Sequence, residues 1–196
     1  MKAFREKLFT LRSYTPLPFL AAMVLFAQPN AATMAGGFLL VLAGELMRIW
    51  GVAYAGCLTR VTGSVGAPDV IVAGPFARVR NPLYIGNLLT YVGIGCMANA
   101  LVPWLLLAAV VWFSFQYYQI VLSEEEFLEQ RFGEGYRQFK ANVPRFIPRV
   151  STYVHPAQAN QAPDWKGALR SERRTFQALV IVLTVLCVFW IAGRPW

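Results

Sequence analysis

Apolar residues along this chain come in long unbroken runs, with the polar residues gathered between them. A helix needs about 20 apolar residues to cross a bilayer, or about 17 at the short end. Five runs are candidates. The first, from about Tyr14 to Gln28, is short, carries Pro16 and Pro18 near its start and ends at Pro29-Asn30. A second run, from about Ala32 to Gly56, includes two charges, Glu45 and Arg48. The third, from about Pro82 to Ala98, opens on a proline, where a missing N–H is harmless. After a very short turn the fourth follows from about Leu101 to Leu122, so these two form a hairpin. The last, from about Thr175 to Gly193, is free of charges until Arg194.

Between the runs the pattern changes. From about Ser123 to Lys140, Phe127, Leu128, Phe132, Tyr136 and Phe139 recur at helical spacing among charges, which predicts an amphipathic surface helix. Ser123 followed by Glu126 fits a capping box at its start. Residues 150–174 are polar and rich in Pro, Ala and Gln, and read as a linker with a short helix before the last span. No internal repeat is present.

Composition supports the membrane reading. Only 14% of the 196 residues are charged, 57% are hydrophobic, and the mean hydropathy is +0.45, whereas soluble domains carry roughly 25% charged residues. The expected fold is therefore an all-α integral membrane protein of about five transmembrane helices plus a cytoplasmic amphipathic helix. With five spans, 16 of the 18 basic residues fall on one side, and only Arg48 and Arg194 lie elsewhere. The positive-inside rule then puts the N-terminus and both long connections in the cytoplasm. The formal charge of +8 follows from that asymmetry and suits anionic headgroups. Scattered over membrane-proximal loops, these charges form no nucleic-acid-binding face. Cys57, Cys96 and Cys187 have no metal-ligand or CxxC spacing, so neither a disulfide framework nor a zinc site is expected. The single His155 sits in a Pro-flanked polar stretch and reads as a surface or packing residue. No catalytic triad or dyad can be assembled.

Three places could carry chemistry. Arg80-Asn81-Pro82-Leu83-Tyr84 is a polar turn at the head of the third run: either Pro82 holds Asn81 extended, aiming Arg80 and Asn81 into the headgroup region, or Arg78 and Arg80 are ordinary positive-inside anchors and Pro82 merely starts a helix. Glu124-Glu125-Glu126 is either a solvated helix start or a carboxylate site for an ammonium or sulfonium cation. Glu45 and Arg48, three residues apart inside a span, either neutralise each other or line a polar cavity, because intramembrane charges face the protein interior.

In order and spacing these elements resemble the isoprenylcysteine carboxyl methyltransferase family and its relatives, the membrane phospholipid N-methyltransferases. The resemblance covers roughly Glu45 to Pro148. It rests on Gly74-Pro75-Phe76 ahead of Arg80-Asn81-Pro82-Leu83-Tyr84-Ile85-Gly86, then Glu124-Glu125, Phe132-Gly133-Glu134-Gly135-Tyr136 and Val143-Pro144-Arg145. It implies one membrane-embedded methyltransferase domain over 1–196, with cofactor motifs at about 67–148 and a C-terminal span at about 175–193. By the same resemblance Val70, Phe76, Arg80, Asn81, Pro82, Leu83 and Tyr84 contact S-adenosylmethionine on the cytoplasmic side. One of Glu124 and Glu125, rather Glu125, holds its methionine end. A lipophilic or lipidated acceptor enters from the bilayer. The acceptor is left open between a prenylated thiol acid, a phospholipid amine and another lipophilic molecule, and no catalytic residue is assigned.

Three positions depart from the family. Asn81 stands where many members have His and cannot titrate near neutrality. Ala67 stands at the loop position of another His in the eukaryotic prenylcysteine enzymes. Gln119-Ile120-Val121-Leu122 occupies the turn where those enzymes place an Arg for the substrate carboxylate. Two other readings compete: an NADPH-dependent sterol-type membrane reductase, with Tyr84 or Tyr118 as proton donor, and a non-enzymatic membrane scaffold.

Overall fold

The computed structural model describes residues 2–56 and 70–193, with side chains from Phe4 onward. Cys57, Ala67 and Arg194, and Arg60 among the basic residues, lie outside the described residues. The chain is helical, in the order α1 (Lys2–Leu11), α2 (Pro16–Leu25), α3 (Ala31–Ala55), α4 (Pro82–Ala98), α5 (Trp104–Phe132), α6 (Glu134–Asn142) and α7 (Trp165–Ala192). Two short 3-10 helices, Gly74–Ala77 and Pro156–Asn160, lie in the connections. No strand occurs among the described residues.

Length and composition qualify α3, α5 and α7 as membrane-crossing helices. A fourth span is counted if α1 and α2, bent by 46° at their junction, are taken together. Helix α4, the third expected span, has 17 residues and is about 26 Å long, close to the short limit for crossing. The protein is an all-α membrane protein.

Two boundaries differ from expectation. No helix starts at Ser123, because α5 runs without a break from Trp104 to Phe132. Leu, Ser, Glu and Phe follow one another there with no Gly or Pro, and good helix formers simply propagate the helix. The expected Ser123–Glu126 capping box therefore has no helix start to cap. The break comes ten residues later at Gly133, whose φ of +53° suits glycine. The amphipathic stretch is thus split between the end of α5 and the short α6. Likewise α7 begins at Trp165, ten residues before the expected span. Asp164 starts it by accepting from the Gly167 N–H at 2.9 Å, as a capping carboxylate does.

The chain divides into two compact units, Met1–Glu45 with Asn87–Ser123 and Arg174–Trp196, and Leu46–Gly86 with Glu124–Arg173. The first is apolar and lightly pinned by polar contacts. Phe113, 1% exposed, stacks on Tyr91 at 4.6 Å and on Tyr117 at 6.2 Å between ring centroids. Buried Gln116 accepts from the Thr15 hydroxyl at 2.8 Å and donates to the Leu8 carbonyl at 3.4 Å. Thr90 donates to the buried Glu45 carboxylate at 3.1 Å.

The second unit is polar and extensively cross-linked. Its two apolar clusters are Val72, Tyr136, Phe139 and Val143, and Val52, Ala53 and Ala168. Residues 77–80 run antiparallel to 144–153 through three backbone bonds: Tyr153 N–H to Ala77 O, Arg149 N–H to Arg78 O, and Arg80 N–H to Pro144 O. Gly74 has φ +59°, and a Cβ there would meet the Tyr54 ring at 2.4 Å, so the Gly74-Pro75 turn tolerates no side chain at its first position.

Candidate cofactor site

The site is built where α4 begins and α5 ends, and all of it lies in the second unit. Pro82 opens α4 and is fully buried, which fixes the direction in which the preceding Arg80 and Asn81 leave the backbone. Successive residues on α5 point about 100° apart, so the three glutamates meet three environments. Glu126 is exposed, Glu124 is half-buried, and Glu125 is 4% exposed.

Glu125 is held by two guanidinium groups. Arg145 donates from Nε to Oε1 at 3.0 Å and from Nη2 to Oε2 at 2.7 Å, the bidentate fork that makes Arg–carboxylate pairs strong and directional. Arg80 Nη2 stands 3.0 Å from Oε1, and its Nη1 donates to the Lys140 carbonyl at 2.9 Å. A buried carboxylate survives desolvation only with such partners. Asn81 Nδ2 donates to the Arg145 carbonyl at 3.1 Å, tying the segment that carries Arg145 to the start of α4. Close to this cluster, Tyr136 is 2% exposed. Burial first, and then the Glu125 carboxylate, push its phenol well above the ordinary tyrosine range.

Glu124 makes a different contact. The Tyr84 hydroxyl donates to its Oε1 at 2.7 Å, and both side chains keep partial exposure. The Tyr84 hydroxyl thus orients the Glu124 carboxylate.

The other sequence-predicted site residues sit in the walls of the unit. Val70 and Phe76 pack against the Val72–Tyr136–Phe139–Val143 cluster. Leu83 packs against Val52, Ala53 and Ala168. The structure thus brings Arg80, Asn81 and Glu125 into one network through Arg145, joins Tyr84 to Glu124, and gives Val70, Phe76, Pro82 and Leu83 packing contacts.

Sequence reasoning missed several members. Arg145 was visible only as part of a motif. Gln161 lies in a stretch that reads as a linker, yet its side chain accepts from the Val72 and Ala73 N–H groups at 2.9 and 3.1 Å and donates to Val70 O at 2.8 Å. Gln158 donates to Val72 O at 2.8 Å and Tyr153 O at 2.7 Å. The two glutamines therefore clamp the backbone that leads into the Gly74-Pro75 turn. His155 caps the Pro156–Asn160 helix, its Nδ1 accepting from Ala157 N–H at 3.2 Å. Arg48 donates to the buried Glu172 of α7 at 2.6 Å, a partner that local spacing does not show. Among the described residues no group of three or more His, Cys, Asp or Glu could hold a metal ion.

A helical membrane protein with a carboxylate–arginine centre at the head of a Pro-initiated helix defines a class, and comparison places it. The chain belongs to the phospholipid methyltransferase family, whose model matches residues 32–135, more than half of the sequence. It is 30% identical over 117 residues to the cobalt-zinc-cadmium resistance protein CzcN of Cupriavidus metallidurans, covering 60% of this chain and 50% of that protein. It is 27% identical over 124 residues to the nickel-cobalt-cadmium resistance protein NccN of Alcaligenes xylosoxydans xylosoxydans, covering 63% and 54%. The protein-S-isoprenylcysteine O-methyltransferase of Schizosaccharomyces pombe is 29% identical over 137 residues, covering 68% and 56%. The chain thus spans about half the length of the curated relatives it matches. No solved structure matches.

Proposed function

We propose that this protein is an S-adenosylmethionine-dependent methyltransferase whose acceptor is lipophilic and arrives from the bilayer. Its site would face the cytoplasm, the side on which the basic residues collect. The observation that carries the reading is the Tyr84–Glu124 pair at 2.7 Å, within the stretch matched by the family. The isoprenylcysteine O-methyltransferase among the relatives supports a lipid-attached acceptor.

The donor set suits the cofactor's methionine end, which is a zwitterion. Glu124, oriented by Tyr84, is the carboxylate for its ammonium group. Glu125 is already engaged by Arg80 and Arg145, so its part is to hold those guanidiniums in place. Arg145, a quarter exposed, is the cation for the carboxylate. Val70 and Phe76 would wall the site, and Asn81 would hold Arg145's backbone. When bound, S-adenosylmethionine supplies an activated methyl group on a sulfonium, so the protein needs no strong acid. What the residues contribute is alignment and exclusion of water.

The test is calorimetric binding of S-adenosylmethionine, with NADPH in parallel, to the detergent-purified chain. Saturable S-adenosylmethionine binding that weakens about tenfold or more in Tyr84→Phe and Glu124→Gln is expected, since a hydrogen bond to a charged group contributes about 1.5–3 kcal/mol. Binding of NADPH alone would move the protein to the reductase reading. Binding of neither to folded protein would favour a scaffold.

A further inference from the structure

The α1–α2 corner shows how the first helix meets the membrane. Thr15 and Leu8 lie seven residues apart, a separation worth about 10 Å along a straight helix. Both nevertheless bond the same side chain, Gln116 of α5, through the Thr15 hydroxyl and the Leu8 carbonyl. Each bonds a different end of that amide, so from residue 15 to residue 8 the chain advances along α5 by no more than one hydrogen-bonded side chain spans. Three residues further along α5, less than a turn and about 4–5 Å beyond, Gln119 accepts from Arg5 Nε at 3.3 Å. From Thr15 to Arg5, ten residues of chain thus keep pace with only three residues of α5, so α1, bent by 46° from α2, leans away from the direction of α5.

Depth follows from the same ruler. Gln119 and Gln116 lie about 6 and 10 Å below Ser123, where the polar Ser-Glu-Glu-Glu run of α5 begins. Surface-lying amphipathic helices bury their apolar face about 5–10 Å into the headgroup–acyl boundary. At the other end, Gln28 N–H bonds Ala98 O at 2.7 Å, beside the turn that leads into α5. Helix α2 alone therefore covers the depth between that turn and Gln116.

The side chains of α1 divide accordingly. Leu8 is buried at the Gln116 contact, while Phe4 and Leu11 are exposed on the same side of the helix, 52% and 40%. Glu6 and Thr10 are exposed on the opposite side. Arg5 and Arg12 flank the apolar stripe on one edge and Lys7 on the other, as helical spacing requires. Arg12 lies over the Phe9 ring at 3.7 Å. Basic groups at the boundary of an apolar stripe extend to phosphate level while their stems stay in the acyl region.

From this we infer that α1 is a surface-lying helix that binds the anionic phospholipid headgroups of its leaflet through Arg5, Lys7 and Arg12. The occupant is a lipid because Phe4 and Leu11 need acyl chains at the depth where the cations need phosphates. The inference is independent of the methyltransferase reading.

The test uses the full chain in mixed phosphatidylcholine–phosphatidylglycerol vesicles, with a fluorescent amino acid in place of Phe4. Quenching is expected to be stronger from lipids spin-labelled near the headgroup than from lipids labelled near the chain end; the reverse order would overturn the proposal. Phosphatidylglycerol retained on detergent extraction is expected to exceed phosphatidylcholine. At roughly tenfold or less per charge near the surface, the enrichment should fall severalfold or more when Arg5, Lys7 and Arg12 are all replaced by Gln, and in high salt. Equal retention of the two lipids by the wild-type chain, or enrichment unchanged by the substitutions in a folded variant, would refute it.

Discussion

Arg145 grips both oxygens of Glu125, at 3.0 and 2.7 Å, across 20 residues of sequence. This contact crosses the Gly133 break and closes the polar unit on itself. Removing one partner of such a pair leaves the other charge buried and costs about 3–5 kcal/mol. Glu125→Ala should therefore lower the unfolding temperature in detergent by many degrees. Arg145→Lys, which keeps the charge and loses the fork, should fall between it and wild type. An Arg145→Lys protein as unstable as Glu125→Ala would show that the fork matters more than the charge.

Helices α3 and α4 approach closely at two glycines. A Cβ on Gly93 would lie 2.7 Å from Gly37 O, and one on Gly37 would lie 2.5 Å from Gly93 O. Backbone cannot yield cheaply, so Gly93→Ala should destabilise by about 1–3 kcal/mol. Gly36→Ala, whose Cβ would meet nothing within 4 Å, should be neutral or slightly stabilising. Thermal unfolding of the two variants side by side tests the packing directly.

Gln161 supplies the acceptor for two buried N–H groups, those of Val72 and Ala73. Gln161→Ala strands both, at about 1–3 kcal/mol each. Hydrogen exchange at Val72 and Ala73 should accelerate by at least tenfold, while exchange in the middle of α5 stays unchanged. Equal acceleration in both places would mean that the variant unfolds globally.

Tyr136 predicts a pH effect. Its phenol stays neutral in the folded protein at pH values where the unfolded chain ionises, so the folded state binds more protons there. Stability from this group is complete below about pH 10, the unfolded value, and is lost as pH rises beyond it. The difference in unfolding temperature between wild type and Tyr136→Phe should be flat up to about pH 10 and then shift against wild type.

What could be read in advance was what apolar runs alone determine. The helices expected from about Ala32 to Gly56 and from about Pro82 to Ala98 appear as Ala31–Ala55 and Pro82–Ala98, because each run ends at Gly, Pro or a polar turn. The end of α5 could not be read that way. A change from apolar to charged residues marks a membrane surface, but it does not stop a helix when the new residues also favour one. The arginine network was half visible. Arg80 and Glu125 stand in the Arg80–Gly86 and Glu124-Glu125 motifs, whereas the meeting of Arg145 with Glu125 depends on the turn at Gly133. Arg48 shows the limit of local spacing: its bond to Glu172 of α7 spans 124 residues and has no signal in the sequence around it. The two glutamines sat in a stretch that composition marked as a linker, since a Gln clamp has no sequence pattern until its backbone partners are known.

That clamp also sets an order of assembly during synthesis. The backbone at residues 70–73 leaves the ribosome long before Gln158 and Gln161, which stand 86 to 91 residues further along. Three helices, α4 to α6, lie within that interval, and α7 follows it. A nascent chain can insert its early helices as they emerge, but the Gly74-Pro75 turn acquires its fixed backbone only after α6 and the following 3-10 helix have been translated. Such a distant pairing is slow to form because loop closure precedes its reward. A chain stopped short of Gln161 would keep every residue from Arg80 to Arg145 and still lack the tether that holds the turn in front of them.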